Sequence, residues 1–82
     1  MTRKRTRKND RYNVLSIEKA IEIIGGAEKL ARKIEVSYQT VLNWKNGFSV
    51  PNALNCSKIE KATGGSVKRE DILPDYPWEE LR

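Results

Sequence analysis

Apolar residues recur at helical spacing along most of this chain, and the breaks in that period mark off short segments. The clearest lie between Ala27 and Gly47. Ala27, Leu30, Ala31 and Ile34 stand at i, i+3, i+4 and i+7, one face of a helix. Glu35-Val36 interrupts the period. Ser37 then suits an N-cap, with its hydroxyl offered to the free amides of a new first turn. Beyond it Val41 and Trp44 form an apolar i, i+3 pair, which Val36 at the corner can join. Two short helices joined by a tight corner make a helix-turn-helix pattern, with its second helix over residues 37–46.

The flanking segments supply the rest of a core. A first helix is expected from near Ser16 to the Gly25-Gly26 pair, burying Ile17, Ala20, Ile21 and Ile24 and turning Glu18, Lys19 and Glu22 to water. Phe48 and Val50 are expected to tie the loop at 47–51 to the core. Asn52 or a neighbour caps a fourth helix, which ends about Thr63 before Gly64-Gly65. Its buried edge is Ala53, Cys56, Ile59 and Ala62, with Cys56 as a small core residue. A short fifth helix is expected over residues 66–73, opened by Ser66 or Val67 and closed by Pro74, with Val67, Ile72 and Leu73 inward. Pro74 and Pro77 keep the last nine residues from a regular helix. There Tyr76, Trp78 and Leu81 are apolar enough to dock on their own domain, on a second subunit or on a partner protein. The expectation is an all-α fold of four to five helices over residues 14–73, with a tail at 74–82.

Positions left outside the core carry the chemistry. Tyr38, Gln39, Thr40, Leu42, Asn43, Lys45 and Asn46 are expected to face outward, and no acid occurs between Val36 and Lys58. Amides donate and accept at once, which suits base edges, and a face without carboxylates does not repel phosphates. The 37–46 helix therefore reads as the recognition helix of a double-stranded DNA-binding protein.

Charge strengthens that reading. The 82 residues carry a net +5, unevenly spread. Residues 1–12 hold Arg3, Lys4, Arg5, Arg7, Lys8 and Arg11 against Asp10, whereas residues 70–82 hold Glu70, Asp71, Asp75, Glu79 and Glu80 against Arg82. A basic N-terminal two-thirds favours a polyanion partner. Residues 1–13 are almost without apolar side chains, so a flexible, disordered arm is expected. It either follows phosphates or enters a minor groove, or else merely solubilises the chain; both readings stay open.

One cysteine and no histidine exclude a disulfide framework within one chain and an ordinary zinc site. No apolar run reaches the roughly 18–20 residues that span a bilayer, and no hydrophobic stretch follows the basic N-terminus as in a secretory signal. A soluble cytoplasmic protein without metal or cofactor is expected. Scattered lysines and carboxylates supply no nucleophile with a base, so no catalytic role is expected.

The openings SIEKAIEIIGG and AEKLARKIEVSYQTVLNW, and above all the closing VPNALNCSKIEKATGGSVKREDILPD, resemble the phage Cro-like and YdaS-like helix-turn-helix repressors. The resemblance covers about three-quarters of the chain and omits the arm. It implies a compact lambda-repressor-like domain acting as a homodimer on DNA. By position it implies base contacts from Ser37, Tyr38, Gln39, Leu42 and Asn43. Backbone contacts would come from Ala27, Thr40, Lys45, Asn46 and Ser49, with Arg32 and Lys33 beside them. Ala31 matches the small residue that lets the two helices approach. Glu35 departs from the family pattern, standing where such repressors usually place glycine; a side chain there costs about 1 kcal/mol. Two other functions remain open: a DNA-bending recombination directionality factor (an excisionase), and an antitoxin or adaptor binding a partner through its tail.

Overall fold

Among the described residues five α-helices follow one another with short connections: α1 (Val14–Ile24), α2 (Ala27–Ile34), α3 (Tyr38–Lys45), α4 (Ala53–Ala62) and α5 (Arg69–Ile72). A 3-10 turn, Trp78–Leu81, closes the chain, and no strand occurs among the described residues. The structure, a computed structural model, describes residues 14–81. The basic arm expected at residues 1–13, with Arg3, Lys4, Arg5, Arg7, Lys8 and Arg11, lies outside them, as does the side chain of Leu81.

One cluster forms the core. Ile17 and Ala20 of α1 meet Leu30, Ala31 and Ile34 of α2, Val41 and Trp44 of α3, and Cys56 and Ile59 of α4, with Val67, Ile72 and Trp78 completing it. Each fully buried Ile or Leu contributes roughly 1.5–3 kcal/mol, so the periodic positions of the sequence account for most of the packing. Cys56 is fully buried, its thiol pointing at the Pro51 carbonyl 3.8 Å away. Burial pushes that thiol from 9.0 up to about 12, which keeps it protonated and inert.

Three expectations are corrected. Helix α1 is already under way at Val14, earlier than its expected start near Ser16. Ser16 is buried, and its hydroxyl donates to the Asp71 carbonyl at 3.2 Å, pinning α1 to α5. A serine hydroxyl serves a first-turn amide or a distant carbonyl equally well, and local spacing does not distinguish them. Secondly, Phe48 and Val50 do not tie their loop to the core: they are 78% and 41% exposed. Pro51 is the buried residue there, and the loop is held by its backbone, with the Phe48 and Ser49 amides donating to the Asn43 carbonyl at 2.8 and 3.3 Å.

The third correction is to α5, which has one turn instead of spanning 66–73. Val67 is drawn into the core, and its amide donates to Thr63 Oγ1 at 3.2 Å. Lys68 is therefore extended and becomes the N-cap, its amide reaching Asp71 Oδ2 at 3.4 Å. Of the dockings open to the tail, Trp78 takes the one on its own domain. It is buried, its Nε1–H donates to the Leu73 carbonyl at 2.8 Å, and the Arg69 guanidinium lies 5.1 Å from the ring centre. Glu60 holds Arg69 at 3.7 Å and Tyr76 packs on Trp78 at 4.6 Å between ring centres.

Candidate nucleic-acid interface

Local chemistry sets α3 on the surface in a single pose. Ser37 caps it, accepting from the Thr40 amide at 3.0 Å, and the two hydroxyls meet at 2.8 Å. Val41 and Trp44 anchor the inner face. At the far end Phe48 N–H donates to Asn43 O while Gly47 N–H donates to Trp44 O at 3.1 Å, around Gly47 at φ 80. That pair of bonds is a Schellman ending, in which one left-handed residue satisfies the last carbonyls.

The same ending turns the corner before α3, but without glycine. Val36 N–H donates to Ala31 O at 3.0 Å and Glu35 N–H to Arg32 O at 3.3 Å, with Glu35 at φ 65, ψ 46. It is the non-glycine residue of positive φ among those described. The angle between α2 and α3 is thus set by the hydrogen bonds of the corner, and Glu35 bears the left-handed strain. Replacing Glu35 with glycine removes roughly 1–2 kcal/mol of strain and returns part of it as unfolded-chain entropy, about 0.4–1 kcal/mol. The expected result in thermal denaturation is a melting temperature raised by several degrees, with DNA binding retained; a lowered one would mean that the Glu35 side chain contributes contacts of its own.

On the outer face Ser37, Tyr38 and Gln39 are exposed, and Leu42 and Asn43 are half-buried beside them. Gln39 Nε2 donates to Asn43 Oδ1 at 3.1 Å, one turn away. The bond leaves the Gln39 carbonyl oxygen as an acceptor and the Asn43 amide hydrogens as donors, side by side and pre-oriented. The pair is legible in residue spacing, since i and i+4 are neighbours on a helix.

Around this face stand the groups expected to hold a backbone. Lys45, Asn46 and Ser49 are exposed at the C-terminal end of α3, and Thr40 is half-buried at its first turn. Ala27 opens α2, whose N-cap, Gly26, provides no side-chain bond, so its first-turn amides remain available to an anion. Arg32 and Lys33 are placed differently. Both are exposed, and with Ile23, Ile24, Lys29 and Ala62 they line a groove between α1, α2 and α4 to which α3 contributes nothing.

Residues 17–81 match the family model described as bacterial toxin YdaS. The chain belongs to the YdaS family. It is 37% identical over 67 residues to the Escherichia coli (strain K12) protein YdaS, a candidate transcriptional regulator by name, covering 82% of this chain and 68% of that one. It is also 32% identical over 57 residues to the regulatory protein cro of Pseudomonas phage D3, covering 70% of this chain and 78% of the phage protein. No solved structure gives a significant match. The YdaS match takes in every helix from Ile17 onward, including the turn that buries Trp78. Both relatives are named as regulators, and the helical fold is that of a Cro-like helix-turn-helix domain. No helix among the described residues is long and apolar enough to cross a membrane.

Proposed function

We propose that this YdaS-family chain is a sequence-specific, double-stranded DNA-binding transcriptional repressor of the phage type, reading a major groove with α3. One observation carries the reading: the outward face of α3 is an acid-free row of hydroxyls and amides, with Gln39 and Asn43 already oriented by their own hydrogen bond. Gln39 and Asn43 contact base edges, Leu42 meets a thymine methyl, and Ser37 and Tyr38 serve a base or the neighbouring backbone. The α2 N-terminus at Ala27, with Thr40, Lys45, Asn46 and Ser49, holds phosphates and fixes the register. Two copies occupy half-sites about 34 Å apart, one helical turn, and repress by occluding a promoter.

The names of the two relatives support a regulator of this type. A protein that occupies DNA needs no catalytic centre to impair a cell, so the family's description as a toxin is accommodated by the same interface. Such work is done in the cytoplasm, on DNA. No feature of the fold favours a DNA-bending excisionase, and the inward turn of Trp78 takes one of the three side chains, with Tyr76 and Leu81, that a tail-borne partner contact would use.

An unbiased selection from random duplexes, at stated salt, tests the reading. The expected result is one enriched sequence with related half-sites, and an affinity that falls steeply as salt rises through counterion release. Equal retention of all duplexes, with no enriched sequence, would overturn it.

A further inference from the structure

The end of α1 leaves an apolar surface bordered by cations. Ile23 stands off the buried stripe of its helix and is 44% exposed, with Ile24 half-buried beside it. Together with Ala62 they line a groove of about 780 Å³, whose cations are Lys29, Arg32 and Lys33 of α2. Lys33 and Ala62 also border a second groove, of about 380 Å³, which adds Lys58 and Lys61 of α4 and a single carboxylate, Glu35. The walls are fixed: Lys58 Nζ donates to the Ile34 carbonyl at 3.3 Å, tying α4 to the end of α2. Arg32 meets Glu28 at 3.9 Å across an exposed turn, a surface ion pair of the kind that contributes little.

We propose that this joined groove is the docking site for an acidic segment of a partner protein, one that carries an apolar side chain between its carboxylates. Charge complementarity selects an anion, because five cations face one carboxylate along the two grooves. The apolar floor then selects among anions. A phosphate backbone is satisfied by the cations alone and gains nothing by covering Ile23. An acidic segment with a leucine or phenylalanine removes Ile23 from water while its carboxylates meet the lysines. An apolar centre inside a charged rim is the anatomy of a protein interface. A second copy meeting the same surface would set these cations against their own twins. The acidic end of this chain is held elsewhere, by the bond from Trp78 Nε1–H to the Leu73 carbonyl.

Size and position set what such a contact does. The larger groove falls within the roughly 300–1,000 Å³ of sites that enclose a small ligand, so it takes one short segment with an anchoring side chain, and not a whole domain. No residue of α3 lines either groove. A partner segment held there leaves Gln39 and Asn43 open to a duplex, and the two interfaces can be filled together.

The test uses the full chain and, as probe, a short labelled peptide with a leucine–phenylalanine pair between runs of aspartate, followed by fluorescence anisotropy. The wild type is expected to bind it reversibly, and more weakly as salt rises. Serines in place of the apolar pair should weaken binding by about tenfold, as should Ile23→Ser in the protein. Lys33→Glu should cost about as much, by setting a carboxylate against those of the probe. Lys19→Glu makes the same change of charge at an exposed α1 position that lines neither groove, and should stay within about twofold of the wild type. Melting curves check that Ile23→Ser and Lys33→Glu, both at exposed positions, remain folded. Equal binding of the serine peptide, indifference to Ile23→Ser, or equal losses in Lys19→Glu and Lys33→Glu would each overturn the proposal. Displacement of the probe by a scrambled duplex, with Lys33→Glu weakening both ligands and Ile23→Ser neither, would overturn it in favour of a phosphate backbone. Self-association in sedimentation that Ile23→Ser abolishes would overturn it in favour of a second copy.

Discussion

Trp78→Ala is expected to remove about 3–5 kcal/mol of stability, the usual cost of truncating a buried tryptophan. A domain this small holds only about 5–15 kcal/mol in total, and often less, so much of the population would be unfolded at 37 °C. The loss combines packing, since the ring is 4% exposed in the core cluster, with the bond from Nε1–H to Leu73 O and the stacked Arg69. Trp78→Phe separates these contributions. It keeps most of the apolar surface and gives up the hydrogen bond, for about 1 kcal/mol. Tyr76→Ala, at a ring 38% exposed, should cost less than Trp78→Ala. Urea denaturation followed by far-UV circular dichroism measures all three; an unchanged midpoint for Trp78→Ala would place the tail outside the cooperative unit. The same reasoning makes removal of residues 74–82 a stability experiment and not a clean test of partner binding.

The second large effect is on DNA. Gln39→Ala should reduce discrimination at one base position by roughly 1–3 kcal/mol, the worth of a good bidentate contact, and leave the salt dependence unaltered. Lys45→Ala should weaken specific and scrambled duplexes alike and lower the salt slope by about one. Because Gln39 and Asn43 are bonded to each other at 3.1 Å, their effects should not add: Gln39→Ala frees the Asn43 amide to turn, so the double variant loses less than the sum of the singles. Competition binding at two salt concentrations reads all of these quantities. Unchanged ratios of specific to scrambled binding in both single variants would refute the contact assignment.

Legibility followed locality. Ser37 and Asn52 act as caps where they were expected, because a cap bonds an amide three residues on and needs no tertiary partner. Val41 with Trp44, and Cys56 with Ile59, are buried because helical spacing forces each pair to one side. The exposure of Phe48 and the partner of Ser16 were not legible, for the converse reason. Hydrophobicity says that Phe48 gains by leaving water, but not whether its own core has room; here Pro51 is the buried residue of the loop and Phe48 stays outside. Ser16 has a hydroxyl, and only the approach of α5 decides that Asp71 receives it.

The order of elements, the capped corner at residues 35–37 and the acid-free amide face were all written into the chain, since each depends on neighbours within about one helical turn. Tertiary structure alone decided that Trp78 closes the core, that Arg32 and Lys33 border a groove away from α3, and that Phe48 and Leu54 stay exposed. Those outcomes depend on which surfaces meet across the chain, where every apolar residue competes for limited interior space and side-chain spacing carries no information about the winner.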